Sequence, residues 1–269
     1  MSANKEKGKG LYRLAVLILA LVLLGSGGYV VRKNIDYRKG AAGYAEAVET
    51  AAVPQLKPAP VPAQGEEAAP DPNLALLAEV DLDSLREVNE DVLGWIVIPD
   101  TVLSYPLVQY RDNQYYLNHT WQDKRSSVGA IFMECKCSPD FSDFNTIIYG
   151  HRMNNESMFG VLHGYEEENF WRDHPTVYVV TDSGVRVYDV YAAFEAGIQE
   201  IVYRLGIEER EEKQKLIDFG LEQSEISAGV VPTADGQVLT LSTCTAQGHA
   251  TRWIVQAVLV QTYQFPDAG

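Results

Sequence analysis

Thr176-Val177-Tyr178-Val179-Val180-Thr181 and Val185-Arg186-Val187-Tyr188-Asp189-Val190-Tyr191-Ala192-Ala193-Phe194, joined by Asp182-Ser183-Gly184, decide the fold class. Both runs are rich in β-branched and aromatic residues, and the join between them reads as a hairpin turn. Outward from this hairpin, further strands are expected at residues 94–98, 105–109, 129–133, 146–149, 237–242 and 252–260. Pro99-Asp100 ends the first of these with a turn signal. Residues 73–91 have helical spacing (Leu74, Leu77, Val80, then Leu82, Leu85, Val88), with Asp83 or Ser84 as the cap of a second turn. Residues 207–226 are charged and periodic and read as an exposed amphipathic helix. Short strands interrupted by helices suggest a mainly β protein, a closed barrel with helical insertions and not a regular βαβ sheet.

The rest of the chain is organised differently. It has 269 residues, 46% hydrophobic, which excludes a fully disordered or collagen-like protein. Three cysteines exclude a dense disulfide scaffold. A net charge of −15 argues against broad nucleic-acid binding. Residues 1–40 nevertheless hold eight basic groups and two acidic ones, so a basic arm precedes an acidic body. Residues 14–31 are uncharged, and at about 1.5 Å per residue they reach close to the thickness of a bilayer core. Basic residues flank both ends, which favours a membrane anchor over a buried core helix. A cleaved signal peptide, which ends at a small-x-small site, is the rival, but Gly25-Ser26-Gly27-Gly28, although small, lacks a clean Ala-x-Ala. Four basic residues on each side leave the orientation open. Six of the twelve prolines fall in residues 41–72, which read as a semi-extended spacer. The expected division is a basic tail at 1–13, an anchor at 14–31, a Pro/Ala-rich spacer at 32–72 and one folded domain at 73–269.

Cys244 lies just after the strand at 237–242, beside polar residues. From position alone it is either an inert buried thiol or a nucleophile. A catalytic cysteine needs a stabilised thiolate, an acid for the leaving amine and donors for the developing oxyanion. His151 follows the strand at 146–149 through Gly150 and so also lies at a strand end. His249, five residues past Cys244, is its rival, although it is expected in a loop. His163 and His174 are expected to be solvated, and His119 to be structural. Arg252 opens the last strand and points back to the thiol if the two strands pair.

Thr240-Leu241-Ser242-Thr243-Cys244 resembles the TLxTC signature of the sortases, cysteine transpeptidases of Gram-positive cell surfaces. Asn145-Thr146-Ile147-Ile148-Tyr149-Gly150-His151-Arg152-Met153 and Ser157-Met158-Phe159-Gly160 look like the histidine segment of class B sortases. Val92-Leu93-Gly94-Trp95-Ile96, Tyr105-Pro106-Leu107-Val108-Gln109 and Tyr116-Leu117-Asn118-His119 are similar to the same class, and residues 207–226 fit its long helix between the sixth and seventh strands. The resemblance implies an eight-stranded sortase-type barrel after an N-terminal transmembrane helix, with Cys244 as nucleophile, His151 as general acid/base and Arg252 as oxyanion stabiliser. It implies cleavage of a C-terminal sorting motif, a thioacyl intermediate and transfer to an amine of a peptidoglycan precursor. Asn113, Leu117, Tyr149 and Ser242 match groove positions of the class, with Ile198, Val202 and Tyr203 in the loop before the long helix. The partners implied are surface proteins bearing sorting motifs and the acceptor amine. The body then lies outside the cell, tethered to the membrane. No cofactor, metal or nucleic acid is implied. A pilin polymerase using a protein lysine as acceptor is the alternative, and a membrane-tethered binding module without turnover is a further one. Cys135-Lys136-Cys137 is unexpected for the class; it lacks further metal ligands, is too tight for an easy disulfide and reads as ordinary thiols.

Overall fold

A computed structural model describes residues 3–58, 71–245 and 248–265. Eight strands form a closed barrel: β1 (Val92–Val97), β2 (Ser104–Val108), β3 (Ile131–Met133), β4 (Asn145–Tyr149), β5 (Thr176–Thr181), β6 (Gly184–Gly197), β7 (Val238–Thr245) and β8 (Gly248–Gln264). Around the barrel the order is β1-β2-β3-β4-β7-β8-β6-β5. The β2–β3 and β4–β7 pairs are parallel and the other neighbours antiparallel. Closure gives each of these strands a neighbour on both sides.

The β5–β6 hairpin closes where the sequence places it. Thr181 pairs with Gly184, leaving Asp182 and Ser183 as the turn. Gly184 has φ +143°, and a Cβ there would lie 1.9 Å from the Tyr263 carbonyl oxygen, so only glycine fits. β6, β7 and β8 are buried on both faces. One face, with Ala193, Leu239, Leu241 and Val255, joins the main core. The other, with Phe194, Val238 and Ile254, packs with Leu216 and Ile217 of α5 (Arg210–Gln223). The helix expected at residues 207–226 is thus present but anchored by a narrow apolar stripe, its charged faces remaining in water.

Residues 73–91 form two short helices, α2 (Pro72–Leu77) and α3 (Leu82–Arg86). Asp71 caps the first, accepting from Asn73 N at 2.9 Å, and Asp81 caps the second, accepting from Ser84 N at 3.0 Å. The second cap is therefore Asp81, not Asp83 or Ser84. Ser84 sits three residues into the motif as the donor, and Asp83 pairs with Arg86. One more short helix, α4 (Glu168–Asp173), precedes β5.

The N-terminal helix α1 runs from Ala3 to Thr50. Its apolar part includes an 18-residue window of mean hydropathy 1.7, none of it buried, which makes the helix a candidate membrane span. The expected spacer is corrected at its start: residues 32–50 continue the helix, and its last turns dock on the barrel. Asp36, Gly40, Gly43, Tyr44, Ala47 and Ala51 face inward at helical spacing. Small residues let the backbone approach closely: a Cβ on Gly40 would lie 2.7 Å from Val128 Cγ2. The helix ends before Pro54, and residues 59–70 lie outside the described part of the chain.

Candidate active site

Strands β4 and β7 run parallel, with Tyr149 paired to Ser242. The ladder extends past the end of β4, where Gly150 N donates to the Ser242 carbonyl at 3.3 Å. His151 and Cys244 are each two residues beyond the Tyr149–Ser242 pair, so they leave the same rim at matching positions. On the other side of β7 the antiparallel ladder pairs Cys244 directly with Arg252 of β8. The topology therefore brings residue 151, two residues past β4, to the same rim as the paired residues 244 of β7 and 252 of β8.

The His151 ring is fixed on one side. Its Nε2 lies 2.6 Å from the Leu117 carbonyl oxygen. A carbonyl only accepts, so Nε2 carries the hydrogen and Nδ1 is the nitrogen left for further proton exchange. The His151 carbonyl accepts from Phe159 N at 3.0 Å, which ties the following loop back to the strand end. Arg252 is half-buried, donates from Nη1 to the Thr251 carbonyl at 2.9 Å and stands opposite Ala196 of β6.

The other histidines have separate tasks. His119 stacks on Tyr115 with ring centroids 4.1 Å apart. His163 and His174 were expected in solvent, but both are half-buried. His163 pairs with Glu166 at 2.7 Å and stacks on Trp253, and His174 Nδ1 meets the Pro99 carbonyl at 3.0 Å. His249 falls within β8 and not in a loop, because β8 begins at Gly248.

The expected groove residues divide into three groups. Leu117 and Ile198 present apolar surface, 42% and 52% exposed. Asn113, Tyr149, Tyr203 and Ser242 are polar and internally satisfied: Asn113 Nδ2 donates to Glu134 Oε2 at 2.6 Å, the Tyr149 hydroxyl donates to the same oxygen at 3.0 Å, and the Tyr203 and Ser242 hydroxyls are 2.9 Å apart. Val202 differs from the rest. Its side chain is fully buried in the core beneath α5, and only its carbonyl is used, accepting from Asn145 Nδ2 at 2.9 Å. It supports the β6–α5 loop from inside and offers no side-chain surface to a peptide.

Sequence reasoning missed two supports. Glu134 is buried, and besides the two donors on Oε2 its Oε1 receives Cys135 Sγ and Lys136 N, both at 3.3 Å. Burial, then the Glu134 charge, push the Tyr149 phenol well above its ordinary range, so it stays a neutral donor. The second support is a buried chain of amides and hydroxyls. Tyr191 OH donates to Gln256 Oε1 at 3.0 Å, Gln256 Nε2 to Thr240 Oγ1 at 3.1 Å and Thr240 to Asn145 Oδ1 at 2.7 Å. It cross-links β6, β8, β7 and β4 behind the rim. Cys135 and Cys137 are free thiols; burial raises both above the ordinary thiol range, Cys137 to about 11. Both are therefore weak nucleophiles at neutral pH.

The Sortase domain family profile matches residues 96–260. The chain is 32% identical over 184 residues to Sortase B of Listeria monocytogenes, covering 67% of this chain and 74% of the relative. It superposes on a Staphylococcus aureus sortase B–substrate complex with a TM-score of 0.63 at 29% identity, over 66% of this chain and 84% of that one. Sortase B from Bacillus anthracis in complex with AAEK1 gives a TM-score of 0.69 at 27% identity, over 84% of this chain and 99% of that one. A profile that spans most of the barrel, a relative at this identity and a shared eight-stranded closure agree: the chain belongs to the sortase family, among the sortase B-type cysteine transpeptidases.

Proposed function

We propose that Cys244, His151 and Arg252 carry the transpeptidation, on a sorting motif near the C-terminus of a surface protein. The thiolate of Cys244 attacks the carbonyl carbon of the threonine in that motif and a tetrahedral oxyanion forms. Arg252, directly opposite on β8, donates to that oxygen. As the C–N bond breaks, His151 gives its proton to the departing amine and a thioester remains on Cys244. A second amine, from a peptidoglycan precursor, attacks the thioester; it passes a proton to His151 and the thiolate is released. The observation that supports this most is the shared register of positions 151, 244 and 252 at one rim. The exposed Leu117 and Ile198 supply apolar contact for the motif, and α1 tethers the body at the outer membrane face.

The test is a screen of the full chain in detergent micelles against short peptides varied around a Pro-x-Thr core. Mass spectrometry reads a thioester on the Cys244 peptide, and added amines, a peptidoglycan-type amine or a protein lysine, identify the acceptor. The expected outcome is a cleaved peptide whose N-terminal part is trapped on Cys244, and complete loss in Cys244→Ala. Undiminished cleavage by Cys244→Ala overturns the assignment.

A further inference from the structure

The docked face of α1 meets the loop between the Tyr115–Leu117 turn and β3, and through Tyr44 it also reaches Tyr105 of β2. Asp36 Oδ2 accepts from Ser127 N at 3.0 Å and Ser127 Oγ at 2.5 Å. Trp121 Nε1 donates to the Gly43 carbonyl at 2.9 Å, and Gln122 Nε2 to Glu46 Oε2 at 3.0 Å. Gly40 packs on Val128. The buried Tyr44 hydroxyl donates to the Gly129 carbonyl at 2.5 Å.

This loop also seats His151, from both of its ends. Leu117, at its start, holds Nε2 through its carbonyl. Gly129, at its end, has φ +67° and lies against the imidazole: a Cβ on it would be 2.7 Å from His151 Cδ2 and 3.1 Å from Nε2. Ala130 N, next to Gly129, donates to the Tyr116 carbonyl at 2.9 Å, which closes the two ends on each other. A second route runs through Tyr105. The Tyr44 ring meets it edge-on at 5.2 Å, and the Tyr105 hydroxyl accepts from Met158 N at 3.0 Å, one residue before the Phe159 amide that holds the His151 carbonyl.

From this chain of contacts we infer that Tyr44 of the anchor helix is a positioning residue for His151, acting through the Gly129 peptide and the Tyr105–Met158 contact. The inference rests on His151 being the acid/base of the reaction. The part of α1 that follows the apolar span thereby joins the support of the catalytic rim, so the site is complete only with the anchor helix in place. Burial keeps the Tyr44 phenol protonated far above neutral pH, so the hydrogen bond persists throughout the working range. A misplacement of a fraction of an ångström at an acid/base group is enough to slow proton transfer severalfold.

The test compares full-length wild type, Tyr44→Phe, His151→Ala and the double variant in detergent micelles. The reading is the pH dependence of Cys244 alkylation by iodoacetamide, followed by mass spectrometry on the Cys244 peptide, with kcat and KM for the peptide found by the screen above. Tyr44→Phe is expected to shift the alkylation profile and lower kcat about fivefold with KM within about twofold. In the His151→Ala background the same change is expected to have no further effect. If Tyr44→Phe leaves profile and kcat as wild type while His151→Ala alters both, the positioning role is wrong and the catalytic assignment stands. Equal loss in both backgrounds marks a merely structural residue and also overturns the inference. A His151→Ala protein with wild-type profile and turnover overturns the catalytic assignment first and the inference with it. If Tyr44→Phe loses its unfolding transition, Ser127→Ala, which removes one hydrogen bond to Asp36, carries the same comparison at about twofold amplitude.

Discussion

Cys244 and Arg252 are direct partners across the β7–β8 ladder, and Ala196 stands on the far side of Arg252 in β6. Directly opposed residues in an antiparallel pair share a face of the sheet. Under the proposed mechanism, Arg252 would therefore meet the substrate carbonyl from the strand next to Cys244.

That relation makes Arg252→Lys informative. Lysine keeps the charge but loses the planar fork of donors, and its ammonium is a point charge on a more flexible stem. The expected result is a fall in kcat of about 10²- to 10³-fold, the range for losing one oxyanion donor, with KM within a few-fold. Steady-state kinetics on the screened peptide checks it. Turnover near wild type removes Arg252 from the oxyanion role.

Glu134 is the buried acceptor that holds Asn113 and Tyr149. Its two oxygens receive four donors, from Asn113, Tyr149, Cys135 and Lys136. Glu134→Gln turns one oxygen into an NH2 group, which must then face a pair of donors. The expected cost is about 1–3 kcal/mol of stability, the range for leaving a buried polar group unsatisfied. The remaining oxygen is a neutral and weaker acceptor for whichever pair it meets, so the hold on Asn113 and Tyr149 loosens, and KM for the peptide is expected to rise severalfold while kcat changes less. Calorimetry and kinetics on one preparation test both parts; unchanged Tm and KM remove Glu134 from the support of the groove.

The contrast between these residues shows what the sequence makes legible. Cys244, His151 and Arg252 each adjoin a run of β-branched residues, so their places beside strands follow from the pattern around them, although β8 begins at Gly248 and carries Arg252 inside it, not at its start. The barrel strands are legible for the same reason, although β7 and β8 run further than the apolar runs do, because Thr243, Thr245 and Gly248 carry little hydrophobic signal. Glu134 follows a strand as any solvated carboxylate would, and nothing near it in sequence marks its four donors. Val202 sits in a tight turn between Ile201 and Tyr203, where neither strand nor helix period says which side chain is inside. The docked part of α1 fails for another reason. Its contact face is built on Gly40, Gly43, Ala47 and Ala51, which pack by backbone approach and leave no apolar stripe to read.

Docking of that helix should depend on acid. Burial raises the pKa of Asp36, but the side-chain and backbone hydrogen bonds from Ser127, with Ser126 and Lys33, outweigh it, and the net shift is downward. Arg32 and Arg125 line the same cleft. A carboxyl whose pKa is lower when docked than when released stabilises the docked state fully above its ordinary value, and loses that contribution as pH falls through the lowered one. The window therefore lies below the ordinary carboxylate range at about pH 4, with no change expected near neutrality. Hydrogen exchange of residues 36–50, corrected for intrinsic rates, is expected to accelerate across that window in the wild type. Asp36→Asn removes the titration: its exchange is faster than wild type at pH 7 and shows no step in acid. A wild-type profile as flat as that of Asp36→Asn means that the carboxylate does not hold the helix, and that Gly40, Gly43 and Tyr44 dock it without help from charge.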